Sequence, residues 1–410
     1  MERNGRSDEC AVAEPTNSLH RSVDEEAGND GRSACRPPDI RTIMSTSLRK
    51  TLVILAVPFL VLAACTKEEW VEDQQADLVA EDRLKLDVSA FPLATLGEYR
   101  FFKGPMADQR PVPGVVPYVP INALFSDYAH KFRFVWMPPG VKAVYNGDHE
   151  VLDFPDGTVL IKTFYYDNVL PTNTRRIIET RLLFKRNGLW EFADYIWNEQ
   201  QTEATLDLEG GYLPLTWIDD NGAERSLNYR IPSEAECLTC HKSNDLAVPI
   251  GPKPRNLNSD LAYADGTENQ LTRWTRSGYL HSVRPKHIRP TPDWQDESLD
   301  LNTRVRAYVD INCAHCHRED SHCDYRPVRF AFEESGDPAN LGICVPPDDP
   351  LLPQHSHIVA RGSVGRSLMH YRLASVEENV RMPLLGRSVV HEEGLSLITD
   401  WINSLAPACP

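Results

Sequence analysis

Two copies of one short motif constrain this chain more than any other feature of its sequence. The motif is Cys-x-x-Cys-His, and it occurs at 237–241 and again at 313–317 of the 410 residues. Each copy offers two thiols and a histidine directly after them, so three side chains can hold one group. The six residues are Cys237, Cys240, His241, Cys313, Cys316 and His317.

This motif is the attachment site of c-type haem. Two thiols at this spacing reach the two vinyl carbons on one edge of a porphyrin, and the adjacent histidine ring turns under the iron. The sequence therefore predicts two covalently bound haem c groups, with His241 and His317 as iron ligands. A redox-active dithiol has no use for the histidine that follows both motifs, whereas a single zinc site that draws on both motifs stays open.

The start of the chain predicts a secretory targeting segment. Residues 51–64 form an apolar run of 14 residues, which is shorter than a typical membrane span of about 20 residues. Two basic residues precede it, as in a signal peptide. The run ends in Leu62-Ala63-Ala64-Cys65, which resembles the lipobox of bacterial lipoproteins. The resemblance implies a signal peptide over 44–64, lipidation of Cys65 and, because no aspartate follows, sorting to the outer membrane.

The rest of the N-terminal sequence and the net charge of the chain limit where the protein can be located and which partners it can bind. Residues 1–43 are polar and acidic, unlike a signal peptide, so we expect Met44 to be the start and 1–43 to be an over-extended gene start. Residues 65–89 are expected to be a linker. The net charge is −16, which argues against nucleic acid and favours docking to a redox protein with a basic face. We expect a lipid-anchored protein on the periplasmic side.

Residues 90–232 are expected to form an all-β domain, because the hydrophobic period there changes from 3.6 to 2. Runs at 158–166, 176–185 and 189–198 are rich in β-branched and aromatic residues. Turn signals such as Asn187-Gly188 separate these runs. The pattern predicts a β-sandwich or small barrel of roughly seven or more strands.

The remainder is predicted to be a mainly α-helical, dihaem region of the cytochrome c type. It divides into a first haem segment at 233–297 and a second haem domain at 298–410. Apolar residues recur at helical spacing over 298–312 and 391–405, on either side of the second motif and its long loop.

The order of elements in the second haem domain resembles a class I cytochrome c. Helix, motif, long loop, Met382-Pro383 and terminal helix follow one another over about 298–406. The resemblance implies Met382 as the distal ligand of the second haem, where a thioether favours reduced iron. Met369 is the rival, but the apolar pattern around it is typical of a helix core.

The other ligands and cysteines are less constrained. No methionine lies between His241 and the second motif, so we expect water or His281 at the sixth position of the first iron, with His287 as a further candidate. Cys323 and Cys344 bracket a polar insertion, and a disulfide between them is expected to stabilise that loop by about 3 kcal/mol. Cys409 has no assigned partner.

Four stretches of the sequence resemble a family of bacterial dihaem c-type cytochrome lipoproteins. This family has no assigned substrate, so the resemblance implies none for this chain. The resemblance therefore strengthens the haem prediction and not the function. We expect a membrane-anchored periplasmic electron-transfer protein, to which we assign no catalytic residue. The alternatives are a haem peroxidase or oxidase with an open first iron, and a redox sensor whose β domain binds a ligand. The four stretches are Leu124–Tyr128, Phe154–Lys162, Ile178–Arg181 and Cys237–Asn258.

Overall fold

The computed structural model describes residues 83–410 and the backbone of Trp70–Val71. The expected gene-start extension at 1–43, the signal peptide at 44–64 and the lipidated Cys65 lie outside the described residues. Residues 68–410 belong to one compact unit, which is not divided at 233 or at 298. In the described part, no helix has the length and apolar character that crossing a membrane requires.

One antiparallel sheet of eight strands, β2 to β9, dominates the described chain before the first motif. The strands, with the short β1 before them, are β1 (Trp70–Val71), β2 (Val116–Pro117), β3 (His130–Trp136), β4 (Val159–Val169), β5 (Thr174–Arg186), β6 (Leu189–Trp197), β7 (Ala204–Asp207), β8 (Gly211–Ile218) and β9 (Glu224–Ile231). The order in the sheet is β2-β3-β4-β5-β6-β7, and the β8–β9 hairpin joins it where β8 pairs with β4. The sheet is therefore built mainly from hairpins between consecutive strands.

The three runs with a period of 2 are confirmed as β4, β5 and β6. The turn between β5 and β6 is also where the sequence predicts it. Asn187 and Gly188 both have positive φ, at 52° and 77°. This is the geometry of the tight turn whose twist matches a hairpin, and asparagine and glycine adopt it at least cost.

Side chains alternate between the two faces of this sheet, and the two faces have different partners. One face packs on the segment that precedes the sheet, through residues such as Phe134, Ile161 and Tyr195 against Leu96 and Phe101. The other face has two apolar clusters. In one, the sheet packs against helical residues that follow the first motif, and in the other it packs against the β8–β9 hairpin. A band of charged side chains lies between these two clusters.

The chain after β9 contains six short to medium helices and five short strands in the described part. They are α1 (Glu234–Cys240), β10 (Lys242–Ser243), β11 (Leu246–Ala247), α2 (Pro254–Leu257), β12 (Asp260–Tyr263), β13 (Gly266–Asn269), α3 (Gln270–Arg276), β14 (Arg284–Pro285), α4 (Leu301–Asn312), α5 (Leu368–Ala374) and α6 (Glu392–Ser404). The strand β14 pairs with β1. The two helices predicted on either side of the second motif are α4 and α6.

Helices α4 and α6 pack against each other around an apolar core. Asp300 caps α4 by accepting a hydrogen bond from the backbone N–H of Thr303. Tyr308 lies so close to Gly394 that any β-carbon there would overlap the tyrosine ring, which explains the glycine in the first turns of α6. Trp401 and its apolar neighbours complete the core of this region.

The predicted fold class is wrong in both of its parts. The chain after 233 is not mainly α-helical, because long stretches such as 318–360 consist of turns and loops, and strands hold more of the described residues than helices do. The β region is one sheet and not a two-sheet sandwich or barrel. The physical reason is that α2, α3 and the segment before β2 cover the faces that a second sheet would otherwise cover.

The predicted disulfide between Cys323 and Cys344 is also wrong. Cys344 is bonded to Cys409, with their Cα atoms 5.4 Å apart. The tail after α6 folds back over the preceding loops, where the backbone N–H of Arg361 donates to the Cys409 sulfur at 3.3 Å. Cys323 instead lies buried beside the second motif, and its N–H donates to the Cys316 carbonyl oxygen at 3.0 Å. Proximity in the sequence suggested Cys323 as the partner of Cys344, whereas the folded tail brings Cys409 to it.

Candidate functional site

The first motif is shaped by the short helix α1, which ends at the second cysteine. Ser233 and Glu236 form a reciprocal capping box that starts this helix against the end of β9. Residues three apart on a helix share a face, so the thiols of Cys237 and Cys240 project together. The N–H of His241 donates to the Cys237 carbonyl oxygen at 2.9 Å, which folds the histidine back under the cysteines.

The ring of His241 is held in one tautomer by a backbone carbonyl. Nδ1 of His241 lies 2.9 Å from the carbonyl oxygen of Val248. A carbonyl only accepts, so Nδ1 carries the proton and the lone pair is on Nε2. Burial lowers the pKa of His241 to about 4, which keeps the ring neutral at physiological pH. A neutral imidazole with an oriented Nε2 is what an iron or zinc ligand requires.

A cavity of about 160 Å³ lies between the first motif and the sheet. Cys237, Cys240 and His241 all line it. The ring of Phe192 on β6 packs edge-on against the His241 ring, with centroids 5.5 Å apart. The apolar part of the lining includes Leu160, Leu182, Leu183, Phe192, Pro249 and Ile250.

The second motif begins where α4 ends and repeats the same local turn. The N–H groups of Cys316 and His317 donate to the Cys313 carbonyl oxygen at 3.1 and 3.0 Å. The His317 ring meets the ring of Phe330 edge-on at 5.4 Å. Cys313 packs against the apolar core that α4 and α6 share. The second motif is therefore set in a packed loop and helix region and not against the sheet.

The two motifs touch each other. The ligand atoms of Cys240, His315 and Cys316 all lie within 4.8 Å of one another. The Cys316 thiol donates to the carbonyl oxygen of Thr239 at 3.2 Å. A hydrogen bond with Cys316 holds the pKa of the Cys240 thiol well below its ordinary value. One thiol of each Cys-x-x-Cys-His motif is therefore the neighbour of one thiol of the other.

His315 is a functional candidate that the sequence analysis missed. It occupies a variable position of the second motif, and its Nδ1 is buried without a hydrogen-bond partner in the described part of the chain. Its side chain lines the cavity of the first motif. The signal in the sequence was its place between the two cysteines, where a histidine has no role in attaching the second haem.

Met382 lies half-buried in the loop between α5 and α6. Its carbonyl oxygen accepts a hydrogen bond from Nε of Arg387 at 2.9 Å, and the charge of Arg387 also acts on the Cys313 thiol. The adjacent Pro383 lines the cavity of the first motif. The loop of Met382 thus lies close to both motifs. Its assignment to the second iron stays a prediction. Met369 packs against the apolar core, as its pattern indicated.

The other histidines considered for the first iron are at the surface. His281 and His287 are exposed, and Nδ1 of His281 accepts a hydrogen bond from the N–H of Val283 at 3.1 Å. Neither of them lines the cavity of the first motif. Among the described residues that line this cavity there is no methionine, and the histidines are His241 and His315.

The first motif fits a covalently attached haem on the geometry of its own residues. Both thiols and the ligand histidine face one cavity with a largely apolar lining, and Nε2 of His241 is available because Nδ1 is bonded to Val248. The second motif has the same backbone turn. The cluster of Cys240, His315 and Cys316 also offers three ligands of the type that zinc takes, so the zinc alternative has a structural basis as well.

Comparisons with known protein families, with curated proteins and with solved structures found no match to this chain.

Proposed function

We propose that this protein is a dihaem c-type cytochrome that transfers electrons. The observation that carries the proposal is the pair of Cys-x-x-Cys-His motifs whose thiols lie side by side at Cys240 and Cys316. A bound haem supplies an iron that changes between the ferric and ferrous states and so carries one electron. The contact of the motifs makes the groups they hold direct neighbours, which suits the passage of electrons from one to the other.

The residues of this chain have defined parts in that function. The thiols of Cys237 and Cys240 would hold a haem by adding across its two vinyl groups. Each addition would place the sulfur on one carbon and the hydrogen on the next, so no oxidant would be consumed. Nε2 of His241 provides a neutral ligand, fixed in direction by Val248. We assign the same parts to Cys313, Cys316 and His317, and Met382 would supply a thioether ligand to that iron.

The same proposal places the protein at the periplasmic face of the outer membrane, anchored through a lipid on Cys65. Haem c is attached outside the cytoplasm, and the signal sequence and the motifs agree on this location. The excess of acidic side chains, which gives the chain its net charge of −16, favours a redox partner with a basic docking face.

The test is a count of covalently attached haem in the full-length protein. We expect two haems per chain by intact mass and by absorbance after denaturation. The variants Cys237→Ala/Cys240→Ala and Cys313→Ala/Cys316→Ala should each retain one. Cys323→Ala, which removes a buried cysteine outside both motifs, should retain two. A protein that binds one zinc ion and no haem, and loses the zinc in both double variants, would establish the zinc site instead.

A second candidate function has one observation in its favour. The described lining of the first cavity contains no methionine, which suits an iron with an exchangeable sixth position and hence a haem peroxidase or oxidase. Binding of carbon monoxide to the reduced protein and turnover of peroxide with a reduced donor would support this candidate. Two low-spin irons that bind no carbon monoxide would exclude it and leave electron transfer.

A further inference from the structure

Five charged residues on five adjacent strands stand directly opposite one another on the cavity face of the sheet. Arg133 on β3 pairs in register with Lys162 on β4, which pairs with Arg181 on β5. Arg181 pairs with Asp194 on β6, and Asp194 with Asp207 on β7. All five line the cavity that contains the first motif. Charged residues in the middle of a sheet are costly, so this row calls for a physical explanation.

Part of the row is neutralised within the protein. The guanidinium of Arg181 contacts the fully buried carboxylate of Glu179 at 2.5 and 3.1 Å. Asp194 lies 3.6 Å from the same guanidinium. Burial and the neighbouring Glu179 raise the pKa of Asp194 well above its ordinary value. The hydroxyl of Tyr229 donates to Glu179 at 2.6 Å and completes this cluster. Arg181 therefore has its counter-charge in Glu179, and it needs no ligand.

Arg133 and Lys162 have no such partner. In the described part of the chain no ion pair or side-chain hydrogen bond joins either of them to a carboxylate. The ammonium of Lys162 lies 4.6 Å from the centre of the Phe164 ring, a contact that tolerates a cation but does not neutralise it. Both side chains are half-buried and face the cavity. Two basic side chains are thus held side by side in a concave, partly dry site, where burial and the neighbouring charges of Arg133 and Arg181 lower the pKa of Lys162 well below its ordinary value.

The acidic side chains elsewhere in the lining do not supply the missing charge. Glu236 is paired with Arg230, and Asp207 accepts hydrogen bonds from the N–H groups of Glu209 and Gly210 at 2.9 Å. Glu234 is exposed at the start of α1. A ligand with two negative charges, placed in the cavity, would favour the charged form of Lys162, neutralise both side chains and form charge-assisted hydrogen bonds with them.

We propose that Arg133 and Lys162 form a carboxylate-binding site that faces the first motif across the cavity. The carboxylates have two sources, the propionates of a haem attached at Cys237 and Cys240, or a small free carboxylate. A haem carries two propionates, which matches two cations on one wall opposite the thiols on another. The propionate source rests on the proposed function, whereas the free-carboxylate source does not.

The experiment uses the full-length protein with the variants Arg133→Gln and Lys162→Gln. Arg133→Lys keeps the charge and serves as the conservative variant. Arg175→Gln is the matched control, because Arg175 lies on the same sheet in an exposed ion pair with Asp167 and is not in the cavity. The readouts are the haem count, the midpoint potential of each haem, and calorimetric titration with succinate. The variant Cys313→Ala/Cys316→Ala identifies which potential belongs to the first motif.

If the propionates occupy the site, both glutamine variants keep their haems and lower the potential of the first haem only. The sign follows because removing a positive charge favours the ferric state. Arg133→Lys and Arg175→Gln then leave that potential unchanged, and succinate does not bind the wild-type protein. If a free carboxylate occupies the site, succinate binds the wild type and the glutamine variants weaken binding by about tenfold or more.

The proposal is overturned if both glutamine variants leave the potentials unchanged and succinate binds neither the wild type nor Cys237→Ala/Cys240→Ala. A haem count of zero in the wild-type protein contradicts the proposed function alone. In that case, titration of the haem-free wild type with succinate decides whether the carboxylate site exists. Circular dichroism of each variant shows whether the sheet has folded. For a variant that does not fold, the titration of Cys237→Ala/Cys240→Ala carries the test.

Discussion

The two motifs are the same five-residue pattern in two different surroundings. The first lies at the end of the short helix α1 and faces a cavity whose opposite wall is the charged centre of the sheet. The second follows the longer helix α4 and packs into loops and the apolar core shared with α6. Local sequence places two thiols and a histidine together at both. The neighbours in space set the charge, polarity and solvent access that distinguish one site from the other.

The regions are nevertheless joined by a buried ion pair as well as by the contact of Cys240 with Cys316. Arg255 on α2 contacts Asp310 on α4 at 3.0 Å, and Arg255 also reaches Glu333 at 3.0 Å. Asp310 further accepts a hydrogen bond from the N–H of Phe332 at 3.1 Å. A difference between the two sites is therefore maintained inside one unit, and the following experiments test how the regions differ and how they are coupled.

The largest effect on stability is expected from the disulfide, which belongs to the second region. Cys409→Ser removes a crosslink between residues 65 positions apart and should lower the free energy of unfolding by about 4 kcal/mol on the loop-entropy model. Urea unfolding with and without reductant measures this. Reductant should destabilise the wild type to the level of the variant and leave the variant unchanged. An equal effect of reductant on both proteins would contradict the assignment.

The next effect concerns the ion pair between the regions. Asp310→Ala leaves Arg255 buried with only Glu333 beside it, and should lower the free energy of unfolding by about 3 kcal/mol. Asp348→Ala is the matched control, because its pair with Arg326 is exposed and should contribute about 0–1 kcal/mol. Urea unfolding of both variants gives the comparison. Equal losses would show that the contact between α2 and α4 does not couple the two regions.

A smaller, pH-dependent effect is expected at the edge of the second region. His391 is stacked on Phe125 and hydrogen-bonds with the Tyr308 hydroxyl at 3.1 Å. Burial lowers the pKa of His391 to about 4, with Glu393 opposing the shift and the charges of Lys131 and Arg387 adding to it. The unfolded chain therefore binds a proton that the folded protein excludes between about pH 6.5 and pH 4. Stability should fall as the pH is lowered through this window.

The measurement is urea unfolding of the wild type and His391→Gln at about pH 7 and about pH 5. The wild type should lose about 2 kcal/mol more than the variant between these two conditions. The difference between the two proteins isolates His391 from the other titrating groups. A greater loss in the variant would mean that the folded protein holds a charged imidazole here.

The smallest effect on stability is expected from replacing Met382. The same change gives the most direct test of how the two motifs differ. Met382→Ala should keep two haems and lower the potential of the second haem, because a thioether favours ferrous iron. Met369→Ala is the matched control. It removes a thioether from the apolar core and should reduce stability while leaving both potentials unchanged. Spectroelectrochemistry of the two variants distinguishes a ligand from a packing residue. Unchanged potentials in Met382→Ala would make Met382 a packing residue.

Short-range features of the fold were predictable from the sequence. The period of 2 identified β4, β5 and β6, since alternation of apolar and polar residues follows directly from the geometry of a strand. The helical period identified α4 and α6 in the same way. Asn187-Gly188 identified the hairpin turn, because few residues accept its positive φ.

The failures share a cause, which is that they depend on residues far apart in the chain. Cys344 was assigned to Cys323 by proximity, whereas the tail brings Cys409 to it. The charged row was not recognised, although Lys162 directly follows the apolar run Val159-Leu160-Ile161 and was a visible signal. The helical content after residue 233 was overestimated. The prediction rested on two helices and on the order of elements around the second motif, and it was applied to loops that have no helical period.

The sequence by itself determined that Cys237, Cys240 and His241 lie together, because their spacing within one helical turn is a local property of the backbone. It also determined which segments alternate as strands. Only the tertiary structure decided that Cys240 meets Cys316 and that Arg133 and Lys162 face the first motif. Those contacts arise from the burial of apolar faces, which places distant segments together by shape and area and leaves no trace in the local pattern.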